Sequence, residues 1–355
     1  MQDLFGEAAD ASPAAGAAGL AQVITPVALD QSYTYRVPAG MAVTPGSIVR
    51  VPLGPRHVVG VVTVEEPTLG AGSNRLRPIE AVFPAPPLKP ALLAFVEWVA
   101  RYTLTPRGMV MRMTIRAPEA LEPEPPVRAV IRSGPPPERL TEARRRVLAA
   151  MDEQEGMAWS RSGLAGAAGV SASVVDGLLE AGTLREVLLP AGPPVRRPEP
   201  DFNPRDLTAD QRAAADQLVQ GFAGDPAVTL LDGVTGSGKT DVYLEAVAEC
   251  LRRGRQALVL VPEIALTKSF LDRFAERFGA LPAEWHSDVS PKARARTWRG
   301  VAEGTVRVVV GARSALFLPF SELGLIVVDE EHDPAYKQED GVRYHARDMA
   351  VVRAR

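Results

Sequence analysis

Eight consecutive residues, Gly233 to Thr240, have the types and spacing of a phosphate-binding loop, G-x-x-x-x-G-K-[ST]. Glycine lets the backbone turn tightly enough for successive N–H groups to point at one anion. We expect Lys239 to reach the β- and γ-phosphates of a nucleotide, and the Thr240 hydroxyl to be one ligand of Mg²⁺. The alternative is a glycine-rich turn that matches by chance. The residues expected to contact the nucleotide are Gly233, Thr235, Gly236, Ser237, Gly238, Lys239 and Thr240.

A second acidic motif follows the apolar run Leu325 to Val328, which ends directly in Asp329 and Glu330. Open parallel sheets place ligands at the carboxyl ends of their strands. We expect Asp329 to hold Mg²⁺, directly or through water, and Glu330 to orient and deprotonate the attacking water. A strand that merely ends in solvated acids is the alternative. Together with Lys239, these two carboxylates are the predicted catalytic residues of an NTP-hydrolysing site.

These residues need a parallel sheet and its helices to position them. The apolar run Ala227 to Leu231 predicts a buried strand before the loop, and Asp241 to Arg253 predicts a helix that Gly254 ends. The amino end of that helix would face the bound phosphates and add its dipole to the anion site. Residues 206–355 are therefore predicted to form an α/β domain. Its other predicted elements are strands at Gln256 to Val261, Val306 to Val310 and Leu325 to Val328, and a helix at Leu266 to Phe278.

The composition is that of an ordinary globular protein. The 355 residues are 46% hydrophobic and 23% charged, with a net charge of −3, and suffice for two or three domains. This charge gives no whole-chain attraction to nucleic acid, so such binding needs local patches. The single cysteine, Cys250, excludes a disulfide framework or a multi-cysteine zinc site within this chain and is expected to be buried. Because no membrane-length apolar run and no signal-peptide pattern is found, we expect a cytoplasmic location.

Four segments are predicted before residue 206. Residues 1–19, rich in alanine and glycine, are expected to be a disordered tail. Residues 20–118 predict a small β-barrel or sandwich followed by an amphipathic helix from Leu88 to Tyr102. Residues 119–191 predict a winged-helix-like module, with a helix capped by Thr141, two short helices and a strand at Leu184 to Leu189. Residues 192–205 hold prolines among charges and are read as a linker. The β-type runs are Ala21 to Val27, Ser32 to Val37, Ser47 to Pro52 and Val58 to Glu65.

The tetrad Asp329-Glu330-Glu331-His332 resembles the second Walker motif of superfamily 2 helicases. Together with further motifs, the chain more specifically resembles the PriA family of replication-restart helicases (primosomal protein N′). The resemblance covers Leu207 to Arg355 with high specificity and the N-terminal two hundred residues more loosely. The fold that it implies is multidomain: a small N-terminal β-barrel, a winged-helix-like α/β module and a RecA-like parallel-sheet P-loop NTPase lobe. The motifs are Gly233 to Thr240, Val261-Pro262-Glu263-Ile264, Trp285-His286-Ser287, Gly311 to Phe317, and Tyr336-Lys337-Gln338 with Arg343 to Asp348.

The resemblance also implies roles for residues of the helicase lobe. Gln211 corresponds to the glutamine that reads adenine, whereas an Asp-Gln pair at a helix start is by itself a cap with a solvated side chain. Asp333 to Asp348 resembles the aromatic-rich loop that couples single-stranded DNA to ATP hydrolysis; a charged surface loop is the alternative. Arg313 matches a position near the DNA groove, although its chemistry also allows pairing with Asp329 or Glu330. Stacking tyrosines and phosphate-binding cations are expected at Arg313, Tyr336, Lys337, Arg343, Tyr344 and Arg347.

The N-terminal barrel resembles the family's domain that captures the 3′ end of a leading strand at a stalled fork. The matching positions are Tyr33, Gly54 and Arg77. Thr34 departs from the pattern, because the family commonly has an acidic residue there to meet the 3′ hydroxyl. A threonine hydroxyl can still form a hydrogen bond. A plain β-module that packs on the helicase lobe is the alternative.

The function implied by the resemblance is that of the N-terminal portion of an ATP-dependent 3′→5′ DNA helicase, an ATP hydrolase that recognises branched forks and starts primosome assembly. Its cofactors would be ATP and Mg²⁺; zinc is expected for the family, but this chain has no zinc site. The implied partners are branched and single-stranded DNA, single-strand DNA-binding protein and helicase-loading proteins. We expect a monomer that does not bind membranes.

The family's second motor lobe supplies arginines that stabilise charge on the transferred phosphate. We expect this lobe and the zinc module to lie outside this chain, which should then bind ATP–Mg²⁺ weakly and hydrolyse it poorly. Two other functions remain open: an ATPase-inactive module that binds fork DNA, and another superfamily 2 P-loop translocase.

Overall fold

The computed structural model describes residues 19–67, 76–154, 156–224, 228–234, 236–262 and 267–355. Within these residues the chain forms two compact units. The first unit combines the stretches up to Pro123 and from Pro193 onward, and the second unit is Glu124–Gly192. The tail predicted at residues 1–19 lies outside the described residues except for Gly19. The other predicted segment boundaries stay a prediction.

The first unit begins with an antiparallel sheet that closes on itself among the described residues. Its order is β2-β1-β4-β3-β5. The residues just before β5 bond to β3 beside them and also to β2 at the opposite edge: Glu80 N donates to Arg50 O of β3, and Arg36 N of β2 donates to Arg77 O. The sheet is therefore a small barrel, as predicted. Its strands are β1 (Leu20–Ile24), β2 (Tyr33–Arg36), β3 (Ile48–Leu53), β4 (Arg56–Val62) and β5 (Ala81–Val82).

Two helices follow the barrel: α1 (Pro90–Thr103) and α2 (Arg107–Thr114). Pro90 suits the first position of α1, where its missing N–H would have no partner in any case. The apolar face of α1 buries the side chains of Leu92, Phe95, Val96 and Val99. The helix predicted from Leu88 to Tyr102 is confirmed within two residues, and α2 was not predicted.

The second unit pairs an antiparallel hairpin with three helices. Its elements are β6 (Val127–Arg132), α3 (Glu142–Asp152), α4 (Arg161–Ala167), α5 (Ala172–Glu180) and β7 (Leu184–Leu189). Thr141 caps α3 through its side chain, as predicted, and Val147, Leu164 and Leu178 fill the core. This is the predicted winged-helix-like arrangement, with β6 as an additional strand. Among the described residues no single helix is long and apolar enough to cross a bilayer, although α4 and α5, bent by 115°, together reach that length and composition.

The chain after Pro193 forms a four-stranded parallel sheet, within the described residues, in the order β11-β8-β10-β9. The strands are β8 (Gln256–Leu260), β9 (Ala283–Trp285), β10 (Val308–Gly311) and β11 (Leu323–Val328), and a short hairpin pairs β12 (Lys337–Gln338) with β13 (Tyr344–His345). Every residue of β8 and β10 is buried. The helices are α6 (Ala209–Gln220), α7 (Lys239–Arg252), α8 (Lys268–Phe278), α9 (Pro291–Ala302) and α10 (Ala346–Ala354). This is the expected RecA-like α/β lobe.

The strand predicted at Ala227 to Leu231 is wrong for the residues of it that the structure describes. Residues 228–231 form no strand, and Val228 and Leu230 are 63% and 76% exposed; Ala227 lies outside the described residues. A short apolar run becomes a buried parallel strand only where neighbouring strands and both sheet faces cover it. Within the described residues, β11 is the outer strand of the sheet, and all six of its residues are only half-buried.

The barrel and the parallel sheet share one hydrophobic cluster, in addition to a cluster of the barrel's own and another on the other face of the sheet. A single cluster of buried residues runs from Ile48 of the barrel through α1 and α2 to Leu258 of the sheet. Trp298 on α9 is fully buried in this cluster, and its Nε1 donates a 2.7 Å hydrogen bond to the carbonyl of Thr114 in α2. The barrel and the sheet therefore depend on the same packing.

We predict that Trp298→Ala destabilises both parts of this core together. Truncating a buried tryptophan typically costs about 3–5 kcal/mol. In amide hydrogen exchange on the full chain, the amides of β3 and of β8 should both lose protection. The control is Leu164→Ala, a truncation in the core of the second unit, which should spare both strands. Loss of protection in β8 with β3 unchanged would contradict a shared core.

Candidate nucleotide and DNA site

The phosphate-binding loop lies at the start of α7 and is shaped by two glycines. Gly236 and Gly238 have φ values of 80° and 82°, in the region that favours glycine. A Cβ on Gly238 would lie 2.4 Å from Nε2 of Gln211. The loop therefore has the tight backbone that the motif predicts and room for an anion above α7. Thr235 lies outside the described residues, so its predicted contact with the nucleotide stays a prediction.

Lys239 bonds to its own loop. Its Nζ donates to Gly233 O at 2.6 Å and to Val234 O at 3.3 Å. An ammonium group has three donors, so two of them are used within the loop. Thr240 follows in the first turn of α7, three residues before Tyr243. The structure thus places Lys239 and Thr240 at the mouth of the loop, as the motif requires.

Gln211 joins α6 to this loop. Its Oε1 accepts from Thr208 N at 3.0 Å and completes a capping box at the start of α6, while its Nε2 donates to Ser237 O at 2.8 Å. The interpretation as a cap is therefore right, but the side chain contacts the phosphate loop rather than solvent. Its predicted contact with adenine stays a prediction.

An open pocket of about 560 Å³ lies beside the first turn of α7. Two of its lining residues carry buried polar atoms with no hydrogen-bond partner in the described part of the chain: Arg205 Nε and Asp241 Oδ1. The sequence motifs gave no signal for this pocket. Its lining is Asn203, Pro204, Arg205, Asp206, Asp241, Arg273 and Glu276.

Asp329 follows the carboxyl end of β11, as predicted, and both of its carboxylate oxygens accept hydrogen bonds. Oδ2 accepts from the Tyr243 hydroxyl at 2.9 Å, and Oδ1 accepts from the Glu330 N–H at 3.0 Å. Burial, followed by the Asp329 carboxylate, raises the pKa of the Tyr243 hydroxyl well above its usual range, so this hydroxyl is a donor. Sequence reasoning missed Tyr243, although its spacing of four residues from Lys239 places both on one face of α7.

Glu330 has an unusual backbone conformation. Its φ is 47°, one of two positive values among the described non-glycine residues. Such conformations cost about 1–3 kcal/mol and concentrate at functional sites. The side chain is exposed, and the nearest ionic neighbour recorded for it is His332, with a nitrogen–oxygen distance of 3.8 Å. The carboxylate is therefore open to solvent beside Asp329.

Two predicted stacking residues are buried. Tyr336 is 1% exposed, and its hydroxyl lies 3.0 Å from Leu260 O and 2.5 Å from Asp329 O. Tyr344 is 5% exposed and packs edge-on against Phe317 with ring centroids 5.5 Å apart; burial raises its pKa to about 12. The prediction that these rings offer exposed stacking faces is wrong for this structure. The sequence of a charged segment does not show whether its aromatic residues face the core or the solvent.

The cations predicted to contact DNA either face solvent or hold the segment Asp333 to Asp348 in place. Arg313 donates to Gln338 Oε1 at 2.7 Å and to Ala335 O at 2.6 Å, so it fastens this loop instead of pairing with Asp329 or Glu330. Within the described residues, Lys337, Arg343 and Arg347 are exposed. Arg347 is paired with Glu331 at 2.7 Å and Lys337 with Glu339 at 2.8 Å. Their predicted contacts with DNA stay predictions.

The predicted pocket of the barrel is partly assembled. The Arg77 guanidinium donates to Gly54 O, which joins two of the three predicted residues. The Tyr33 hydroxyl accepts from Gln31 at 2.6 Å, and the Thr34 hydroxyl donates to Gln22 Oε1 at 2.8 Å. Thr34 therefore directs its hydroxyl proton at a neighbouring strand. The hydrogen bonds do not link Tyr33 to Gly54 or Arg77, and the DNA contacts of all three stay predictions.

Two family models match the chain. Residues 22–116 match the 3′DNA-binding domain (3′BD) of PriA, and residues 208–354 match the DEAD/DEAH box helicase family. The first match covers the barrel with α1 and α2, and the second covers the parallel sheet with the phosphate loop and Asp329. Neither match includes the second compact unit.

Similar curated proteins carry the name "Replication restart protein PriA". The protein of Chlamydia pneumoniae is 33% identical over 358 residues, covering 94% of this chain and 46% of that protein. The protein of Rickettsia conorii is 45% identical over 177 residues, covering 49% and 27%, and that of Bacillus subtilis is 48% identical over 152 residues, covering 42% and 19%. The chain spans less than half the length of these relatives. The two family matches and the similarity along 94% of the chain show that this chain belongs to the PriA family of replication restart proteins.

Proposed function

We propose that this chain binds ATP with Mg²⁺ on its parallel sheet and branched DNA on its barrel, as part of a 3′→5′ helicase that recognises stalled forks and starts primosome assembly. The observation that carries the proposal is the convergence of Lys239, Gln211 and Asp329 around one edge of a sheet that shares its core with a 3′DNA-binding module. Because the chain spans less than half of its relatives, the helicase activity is proposed for the whole protein. Its partners, single-strand DNA-binding protein and helicase loaders, are proposed on the same ground.

The phosphates would lie against the loop and the first turn of α7. The glycine conformations at 236 and 238 support this, since they keep the backbone free of Cβ atoms where an anion must approach. Lys239 would exchange the carbonyls of Gly233 and Val234 for phosphate oxygens. The base would enter the open pocket beside α7, which the polar residues Arg205 and Asp241 line.

Thr240 and Asp329 are the side chains that would hold Mg²⁺, which supplies charge neutralisation between the phosphates. Their fit is supported by Tyr243 of α7, which donates a hydrogen bond to Asp329 and so joins the helix that carries Thr240 to the end of β11. Glu330 would accept the proton of the attacking water. Its exposed carboxylate next to Asp329 supports this role.

DNA would bind at two places. Arg77 and Gly54, joined by a hydrogen bond, would receive the 3′ end of a leading strand together with Tyr33. The exposed cations Lys337, Arg343 and Arg347 would contact phosphates of single-stranded DNA, while the buried Tyr336 fastens their segment to the nucleotide edge of the sheet. Contacts to phosphates would then replace the predicted base stacking in this segment.

A second candidate function is a fork-binding module that does not hydrolyse ATP. It is favoured by the hydrogen bonds of Lys239 to its own loop and by the unpaired residues 228–231. The two candidates share the DNA sites and differ in nucleotide turnover.

We predict that Lys239→Ala weakens binding of a fluorescent ATP analogue about 10- to 100-fold, the range of lost hydrogen bonds between charged groups. Binding to a three-way DNA fork should be unchanged. Nucleotide affinity is measured by fluorescence titration, with Lys268→Ala, an exposed lysine at the start of α8, as the matched control. If the wild-type chain binds the fork but neither binds nor hydrolyses the nucleotide, the second candidate function is correct.

We predict that Arg77→Ala lowers affinity for a fork bearing a leading-strand 3′ end about tenfold, since it removes one charge-assisted contact. Affinity for the same fork without that 3′ end should change less than twofold. The control is Arg36→Ala, an exposed arginine on the neighbouring strand β2 that is outside the proposed pocket. Fluorescence anisotropy at fixed salt measures both. An equal loss on the two DNAs would show a general electrostatic contact instead of 3′-end capture.

A further inference from the structure

A buried tyrosine that no motif singles out lies at the nucleotide edge. Tyr243 lies one turn after Lys239 on α7 and is 5% exposed. Its hydroxyl donates to Asp329 Oδ2 at 2.9 Å. Tyr243 therefore joins α7, which also carries Thr240, to the carboxylate to which a Mg²⁺ ligand role is assigned above.

The second oxygen of Asp329 and its main chain are held as well. Oδ1 accepts from Glu330 N at 3.0 Å, the Asp329 N–H donates to Leu260 O at 2.9 Å, and Asp329 O lies within hydrogen-bonding distance of the Tyr336 hydroxyl. Rotation of the carboxylate about its side-chain bonds is the remaining freedom, and the bond from Tyr243 removes it. Groups that bond to metal ligands in this way orient those ligands and commonly alter metal affinity about 10- to 100-fold when they are removed.

We propose that Tyr243 is a positioning residue that orients the Asp329 carboxylate for a divalent cation. The inference rests on the proposed function, because it takes Asp329 as a cation ligand. Tyr243 itself does not contact the cation. Its contribution is to orient, from α7, a ligand at the end of β11 before nucleotide arrives.

A purely structural role gives a different expectation. A buried hydroxyl needs a hydrogen-bond partner in any case, so a structural Tyr243 would affect the thermal stability of the chain and leave its response to Mg²⁺ unchanged. The Mg²⁺ dependence of nucleotide binding therefore distinguishes a positioning role of Tyr243 from a purely structural one.

The test uses Tyr243→Phe, which removes the hydroxyl and keeps the ring. A fluorescent ADP analogue is titrated into the full chain in excess chelator and then across a range of Mg²⁺ concentrations. Tyr35→Phe is the matched control, because the Tyr35 hydroxyl is also buried and donates one 2.9 Å bond, to Pro52 O in the barrel. Asp329→Ala reports the loss of the cation ligand itself. Thermal melting in chelator checks that every variant is folded.

We expect Tyr243→Phe to keep its affinity in chelator within about twofold and to need about tenfold more Mg²⁺ for the half-maximal response. Tyr35→Phe should match the wild type in both. An unchanged Mg²⁺ midpoint in Tyr243→Phe, with the response lost in Asp329→Ala, would overturn this inference alone. A lower midpoint would also overturn it, because the hydroxyl would then compete with the cation. If Asp329→Ala keeps the full response, or the wild type binds no nucleotide, the proposed cation or nucleotide site is wrong and the inference falls with it.

Discussion

One buried amide, that of Gln256, aligns the strands on which the nucleotide site depends. Gln256 begins β8 and is fully buried. Its Nε2 lies 3.1 Å from Val301 O and 2.7 Å from Val306 O, while its Oε1 accepts from Ser321 Oγ at 2.9 Å and from Glu322 N at 2.8 Å. These partners lie at the end of α9 and just before β10 and β11. The amide is thus fully satisfied only when three strands start in the correct register.

The register set at the amino ends of these strands determines where their carboxyl ends meet. Val328 pairs with Leu260, so Asp329 emerges next to the end of β8, where its N–H donates to Leu260 O. A slip of one residue would turn every side chain of β11 to the opposite face. It would also take Ser321 and Glu322 away from the buried Gln256 Oε1, and an unsatisfied buried group costs about 1–3 kcal/mol. The position of the Asp329 carboxylate is therefore supported from the far end of the sheet.

Much of this arrangement could be predicted from sequence, because the signals are local. The apolar runs of β8, β10 and β11 are rich enough in aliphatic residues to identify these strands, and the loop before α7 carries its chemistry in consecutive residues. Burial of loop residues is set by tertiary contacts and could not be predicted in this way. The resemblance to an aromatic-rich loop predicts exposed stacking faces for Tyr336 and Tyr344, whereas the hydroxyl of Tyr336 bonds to carbonyls at the ends of β8 and β11 and the ring of Tyr344 packs against Phe317. Tyr243 gave no signal, since its partner Asp329 is 86 residues away.

The start of α7 lacks the side-chain cap that the neighbouring helices have, and this leaves its first N–H groups free to bind a ligand. α6, α8 and α9 each begin after a threonine or serine whose hydroxyl accepts a first-turn N–H, at Thr208, Thr267 and Ser290. α7 begins after Gly238, which has no side chain to accept one. The first N–H groups of a helix need an acceptor from outside the helix. A hydroxyl-bearing side chain at this position would satisfy one of them permanently, and its Cβ would lie 2.4 Å from Nε2 of Gln211, which is too close. Glycine instead leaves these donors to an anion, at the end of α7 where the helix dipole also favours negative charge.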